Sequence, residues 1–169
     1  MKISDLSLLS LFFLTSTVGA AEIRDANRLL RVSNVASQFE SRTQLQTRNI
    51  IRTYSSIVAM SADVKLPEWI KREIADCYEQ AFAWENFEDG IAQILLDNFS
   101  EDEMTLLTNF HRSEGLPPTE IKNFKAAVAK GKVIQQLTAE YIFDNSDGCA
   151  EHDIDLILGF LADSRLEPH

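Results

Sequence analysis

The chain has 169 residues, two cysteines and a formal net charge of −10, with 45% hydrophobic and 25% charged residues. Such proportions belong to a folded globular chain rather than a disordered one. The acidic field disfavours nucleic acid and anionic membrane surfaces as partners, and suits either plain solubility or a cationic partner.

Met1–Ala20 carries the three parts of an export signal. Lys2 sits beside the chain amine, an apolar run follows from Leu6 to Leu14, and the small-residue stretch Thr15–Ala20 places Val18 and Ala20 at the −3 and −1 cleavage positions. The apolar run falls short of the roughly 20 residues needed to cross a bilayer, so cleavage is expected rather than anchoring, and no stable membrane insertion. No cysteine follows Ala20 directly, which argues against a lipid anchor. Cleavage removes Lys2 together with Asp5 and leaves the balance at −10. The expected product is one soluble domain over residues 21–169, about 149 residues, a length that can bury a sizeable core.

Apolar residues recur every three or four positions along that product, and no sustained alternation marks a strand. The expectation is an all-α, single compact bundle of about six to seven helices after a cleaved signal peptide. A first short helix is expected over Glu22–Val32, and a second over Asn34–Met60 whose polar middle, Glu40–Asn49, is either exposed or interrupted. Leu66-Pro67-Glu68-Trp69 marks a helix start, since proline is tolerated in the first turn and an early Glu suits the dipole. Ile70, Ile74, Cys77 and Ala81 then form one stripe; Trp84, Phe87, Ile91, Ile94 and Leu95 carry the periodicity toward Phe99, with Gly90 as the weak point.

Ser100-Glu101-Asp102-Glu103 is a capping box, with the Ser100 side chain accepting from the Glu103 amide and the Glu103 carboxylate accepting from that of Ser100. Met104, Leu107 and Phe110 form the stripe behind it, and the helix is expected to stop near Gly115, before Pro117-Pro118. Thr119 is expected to cap a segment containing Ile121, Phe124, Val128, Val133, Leu137 and Ile142, kinked at Gly131. After the turn cluster Asp144–Gly148, a last helix over Glu151–Asp163 is expected to bury Ile154, Ile157, Leu158 and Leu161.

The stretch Leu96-Asp97-Asn98-Phe99-Ser100-Glu101-Asp102-Glu103-Met104, followed by Leu107, Phe110, Arg112 and Ser113, resembles the signature segment of a bacterial family of small exported all-helical proteins known as a domain of unknown function. In that family an aromatic residue and a Ser or Thr cap open an acidic helix, which closes on an aromatic and an Arg-Ser or similar pair. The resemblance covers about residues 70–133. It departs at Ser113-Glu114-Gly115-Leu116-Pro117-Pro118, where the family commonly has a Pro-Ala-Gly type of turn, and at His111, where an aromatic is more usual. It implies a periplasmic helical protein and brings no catalytic residues with it.

Cys77 and Cys149 gain meaning from the export signal, because disulfides persist in oxidising compartments. An intramolecular bridge is expected, with two separately buried thiols or an intermolecular pair as alternatives. Without a Cys-x-x-Cys pair its role is a staple rather than redox chemistry. No other residues assemble into a catalytic, cofactor or metal site. His111, His152 and His169 lack ligand spacing, although His152-Asp153 lies near Cys149. Asp144, Asp147, Glu151, Asp153 and Asp155 fail the calcium-loop pattern, since Ser146, Gly148 and Cys149 stand where it needs ligands and a glycine. No nucleophile elbow or phosphate loop is present, and Trp69 and Trp84 fall at core spacing rather than on a carbohydrate platform. The functional expectation is an exported, non-catalytic protein-binding or envelope-associated module whose expected partner is another envelope protein, with a basic one suited to its charge. The alternatives are an acidic inhibitor or immunity-type protein for a basic periplasmic effector, and a small-ligand carrier or enzyme whose site is scattered in sequence.

Overall fold

A two-residue link, Ser33 and Asn34, joins the first pair of helices, α1 (Val18–Val32) and α2 (Val35–Ala62). Asn34 takes the left-handed conformation at φ 56°, a region that asparagine tolerates better than most residues, and this turns the chain sharply between them. The computed structural model describes residues 18–146 and 148–164, so the expected export signal lies outside the described residues except for Val18–Ala20, which open α1. α2 is unbroken through its polar middle and ends at Asp63, also left-handed at φ 54°, whose amide donates to the Ala59 carbonyl.

α3 (Glu68–Ala81) starts after Pro67 as expected, with a Lys71–Glu68 ion pair of 2.7 Å on its first turn. The single helix expected to run on to Phe99 is interrupted, and the break falls at Phe82–Phe87 rather than at Gly90. The chain leaves α3 at Phe82, makes a 3-10 turn over Trp84–Asn86 and resumes as α4 (Glu88–Asn98). The cause is burial of aromatics. On a straight helix Phe82 and Trp84 would point about 200° apart. The break lets Trp84 and Phe87 pack on the Phe39 ring of α2, at centroid distances of 5.7 and 5.6 Å. Asn86 supports the turn, its side-chain amide donating to the Gln80 carbonyl at 2.9 Å. Gly90 is instead a point of close approach: a Cβ there would overlap the Tyr141 ring.

α5 (Glu101–His111) opens on the expected box and ends four residues before Gly115, because Ser113 and Gly115 turn left-handed at φ 61° and 86°. Thr119 does not cap the next helix. It lies in a 3-10 turn, Pro118–Glu120, that leads directly into α6 (Ile121–Asp144), and α6 runs unbroken through Gly131. α7 (Cys149–Ser164) closes the described chain, with seven α-helices and no strand among the described residues.

Two apolar clusters hold these helices. The larger is built from α1, α4, α5 and α6 around Ala26, Phe87, Ile91, Ala92 and Met104, with Phe39 of α2 packed against it. The smaller joins α2, α3 and α7 around Val58, Ile70, Ile74 and Ile157. Each large aliphatic or aromatic side chain so buried contributes about 1.5–3 kcal/mol. α2 reaches both clusters and bridges them with its polar middle.

The inward face of α7 differs from the expected one. Cys149, Asp153 and Ile157, spaced by four, point inward, whereas Ile154 and Leu158 are 52% and 58% exposed and Leu161 is half-buried. Trp69 also departs from core spacing and is half-exposed, while Trp84 is buried. Phe110, expected on the apolar stripe of α5, is exposed as well, as are Ile121, Val128 and Val133 of α6. No helix among the described residues is long and apolar enough to cross a membrane.

Candidate functional site

The middle of α2 presents Glu40, Thr43, Gln44, Thr47, Arg48 and Ile51 along one side. Offsets of three, four, seven, eight and eleven define one helix face, where a packed helix would carry apolar residues. Here the face is short and polar until Ile51, so it cannot fill the space toward the C-terminal half of α3. A trough of about 550 Å³ results, walled on the far side by Ala75, Glu79, Phe82, Ala83, Trp84 and Glu85. A second hollow of about 370 Å³ adjoins it, lined by Ile50 and Tyr78 and sharing Thr43, Thr47 and Phe82 with the first. Thr47 is buried, its hydroxyl donating to the Thr43 carbonyl of its own helix at 2.9 Å, which leaves its methyl group for the trough floor. The rim carries three exposed carboxylates, Glu40, Glu79 and Glu85, and one cation, Arg48. Among the described residues none of the four is in an ion pair.

Beside this trough lies the staple. Cys77 and Cys149 are bonded within the chain, with Cα atoms 5.9 Å apart, which resolves the three pairings open from sequence. The bridge turns the Cys149 face of α7 toward α3 and carries Asp153, one turn on, into the interior. Asp153 is fully buried, and neither carboxylate oxygen has a hydrogen-bond partner at bonding geometry. Tyr78 of α3 and Tyr54 of α2 act on it without closing such a bond. Burial pushes the Asp153 carboxyl above its usual range, against the opposing pull of Tyr78, His152 and Tyr54. Burial and the facing carboxylate raise both tyrosine hydroxyls in turn. Burial thus favours the protonated form of this carboxyl relative to a solvated one. Sequence reasoning missed it, although Cys149, Asp153 and Ile157 at i, i+4 and i+8 were the available signal: an inward Cys149 commits Asp153 to the same face.

The capping box is intact. The Ser100 amide donates to Glu103 Oε2 at 2.9 Å and the Glu103 amide donates to Ser100 Oγ at 3.2 Å. Lys130 of α6 adds a long-range partner, its Nζ donating to Glu103 Oε2 at 2.6 Å and to the Asn98 carbonyl at 2.9 Å, and standing 5.7 Å from the Phe99 ring centroid. Lys130, then the Ser100 amide, hold the Glu103 carboxyl below its ordinary range. The motif that carried the family resemblance is therefore a three-helix joint, tying the α4–α5 corner to α6. It serves the larger cluster and the staple serves the smaller.

His111 and His152 are both exposed and lie on different helices, and His169 is outside the described residues. So is Asp147 of the acidic run, while Asp144, Glu151 and Asp155 face solvent and Asp153 faces inward. Among the described residues no three of His, Cys, Asp and Glu are placed to hold a metal ion. The trough offers apolar surface from Ile51, Phe82 and Trp84, a Thr47 hydroxyl already bonded within α2, and carboxylates at the lip that are in no ion pair among the described residues. Compared with protein-family models, curated proteins and solved structures, the chain finds no match.

Proposed function

We propose that this is an exported, non-catalytic module that binds another protein of the bacterial cell envelope, with the trough between α2 and α3 as its recognition surface. One observation carries the reading: an open apolar trough rimmed by Glu40, Glu79 and Glu85, on a chain whose net charge is −10. Charge of one sign at the lip of an apolar groove steers a complementary partner and excludes like-charged ones. The Cys77–Cys149 bridge supports a periplasmic address, because such bonds are maintained in oxidising compartments. The export pattern of residues 1–20 and the family resemblance of residues 70–133 agree with it. A partner with a basic surface makes the protein an acidic inhibitor or immunity-type module.

The test is capture of envelope proteins by the mature chain carrying a photo-crosslinker at the trough, at low and at high salt. A discrete crosslinked protein that is lost at high salt is expected. A second reading, a small-ligand carrier, is favoured by the size of the trough, which lies within the usual range of small-molecule pockets. No crosslinked protein, together with a rise in melting temperature on adding a small apolar molecule, would replace the first reading with the second.

A further inference from the structure

We propose that the trough seats a basic amphipathic helix of about three turns from the partner protein, its apolar face against Phe82 and Ile51 and its lysines or arginines paired with Glu40, Glu79 and Glu85. This rests on the protein-binding reading above and names what is bound.

The dimensions come from α2. Its trough-facing residues run from Glu40 to Ile51, eleven steps or about 17 Å of helix axis, which matches three turns of a ligand helix lying alongside. The depth comes from the threonines. Thr43 and Thr47 stand where a self-packed α2–α3 pair would place leucine-sized residues, and the hollows on either side of Phe82 are the volume they leave. Anchors projecting at i, i+3, i+4 and i+7 from an incoming helix are the side chains that enter two adjoining hollows in a row. The sign comes from the rim, where Glu40 of α2 faces Glu79 and Glu85 across the trough. Three exposed carboxylates against Arg48 leave an excess of negative charge that an acidic or lipid-carboxylate ligand would meet as repulsion.

The protein reports on its own trough. Trp84 is in the wall and Trp69 is the second of two tryptophans, so Trp69→Phe leaves a single fluorophore at the site. The probes are a leucine/lysine peptide of about four turns with leucine at i, i+3, i+4 and i+7, its leucine/glutamate counterpart, and a scrambled leucine/lysine peptide with no apolar face. The amphipathic lysine peptide is expected to bind at least about tenfold tighter than either control. The triple variant Glu40→Gln/Glu79→Gln/Glu85→Gln is expected to lose about tenfold or more. A triple on α7 that removes the same charge, Glu151→Gln/Asp155→Asn/Asp163→Asn, is expected to stay within about twofold. Thr47→Leu fills the floor and is expected to abolish binding, and the surface triple keeps the test intact if that variant does not fold.

Equal losses in the two triples would mean attraction by overall charge, and equal binding of the scrambled peptide would mean no groove; either overturns the proposal. Saturable binding of decanoate without peptide preference assigns the trough to a lipid chain. A monomer–dimer equilibrium abolished by Thr47→Leu assigns it to a second copy, and both of these results overturn it too. An envelope partner whose crosslinks survive Thr47→Leu and the rim triple overturns this inference alone, whereas no protein partner at all overturns the reading beneath it.

Discussion

Opening the Cys77–Cys149 bridge should cost about as much stability as truncating one of the large buried side chains. The bridge spans 72 residues of sequence. In the chain-entropy description, closing a loop of that length removes about 15 cal/mol/K from the unfolded chain, or about 4 kcal/mol at 25 °C. At about 2.1 cal/mol/K per residue the described chain unfolds with an entropy near 0.31 kcal/mol/K, so the midpoint should fall by about 14 °C. The perturbation is the double variant Cys77→Ala/Cys149→Ala, compared with oxidised and reduced wild type by far-ultraviolet circular dichroism. Titration of the denatured, unreduced protein should first find no free thiol. Because α7 packs chiefly on α3, hydrogen exchange should show α7 amides losing protection before those of α4 and α5. A double variant melting within about 3 °C of wild type, with α7 as protected as before, would show that burial of Ile157 and its neighbours holds the last helix without the staple.

Asp153→Asn should stabilise the fold by about 1–3 kcal/mol at neutral pH, since it removes a carboxylate buried without a bonded partner. The pH dependence has a definite sign. With the folded-state value raised, folding takes up a proton, so this contribution is full below the ordinary carboxylate value and is lost as pH rises through the raised one. Urea melts from pH 4 to 9 should show a decline of at most about 1.4 kcal/mol per unit that flattens in Asp153→Asn; parallel curves for the two proteins would refute it. Glu103 works in the opposite direction: its lowered value adds stability above the ordinary carboxylate range that is lost as pH falls, so Glu103→Gln should flatten the acid limb. Ser100→Ala should cost about 1 kcal/mol by urea melts, and no loss would mean that the Lys130 contacts alone fix the corner. Gly90→Ala should cost about 1–3 kcal/mol although alanine is the better helix former by about 1 kcal/mol, because the methyl displaces Tyr141; a stabilised variant would show that the ring yields freely.

How far the sequence reached depends on the range of each interaction. The capping box joins residues three apart, so its chemistry is written in four consecutive letters and is present as read. The disulfide was legible for a different reason: with two cysteines there is one possible intramolecular pair. The break at Phe82–Phe87 was hidden because periodicity records spacing, whereas the turn is made by Trp84 and Phe87 reaching Phe39, more than forty positions away. For α7 the letters Ile154 and Leu158 outvoted Asp153, and the bridge reversed the vote by fixing which face meets α3. The polar middle of α2 was visible in sequence, but only the splay of α3 away from Thr43 and Thr47 turns polar letters into the floor of a trough.

The position of Cys149 has a consequence for damage. Between α6 and α7 the chain is exposed at Asn145 and at Gly148, the latter left-handed at φ 87°, and exposed links of this kind are where proteases cut. A cut there leaves α7 covalently tethered through the first residue of its own helix, with Asp153 and Ile157 still seated. Such a clipped molecule would migrate as a whole chain on a non-reducing gel and separate into two pieces only after thiol treatment. Proteolysis of this protein would therefore pass unnoticed until the bridge is reduced, and the moment of reduction, rather than of cleavage, would set when the last helix departs.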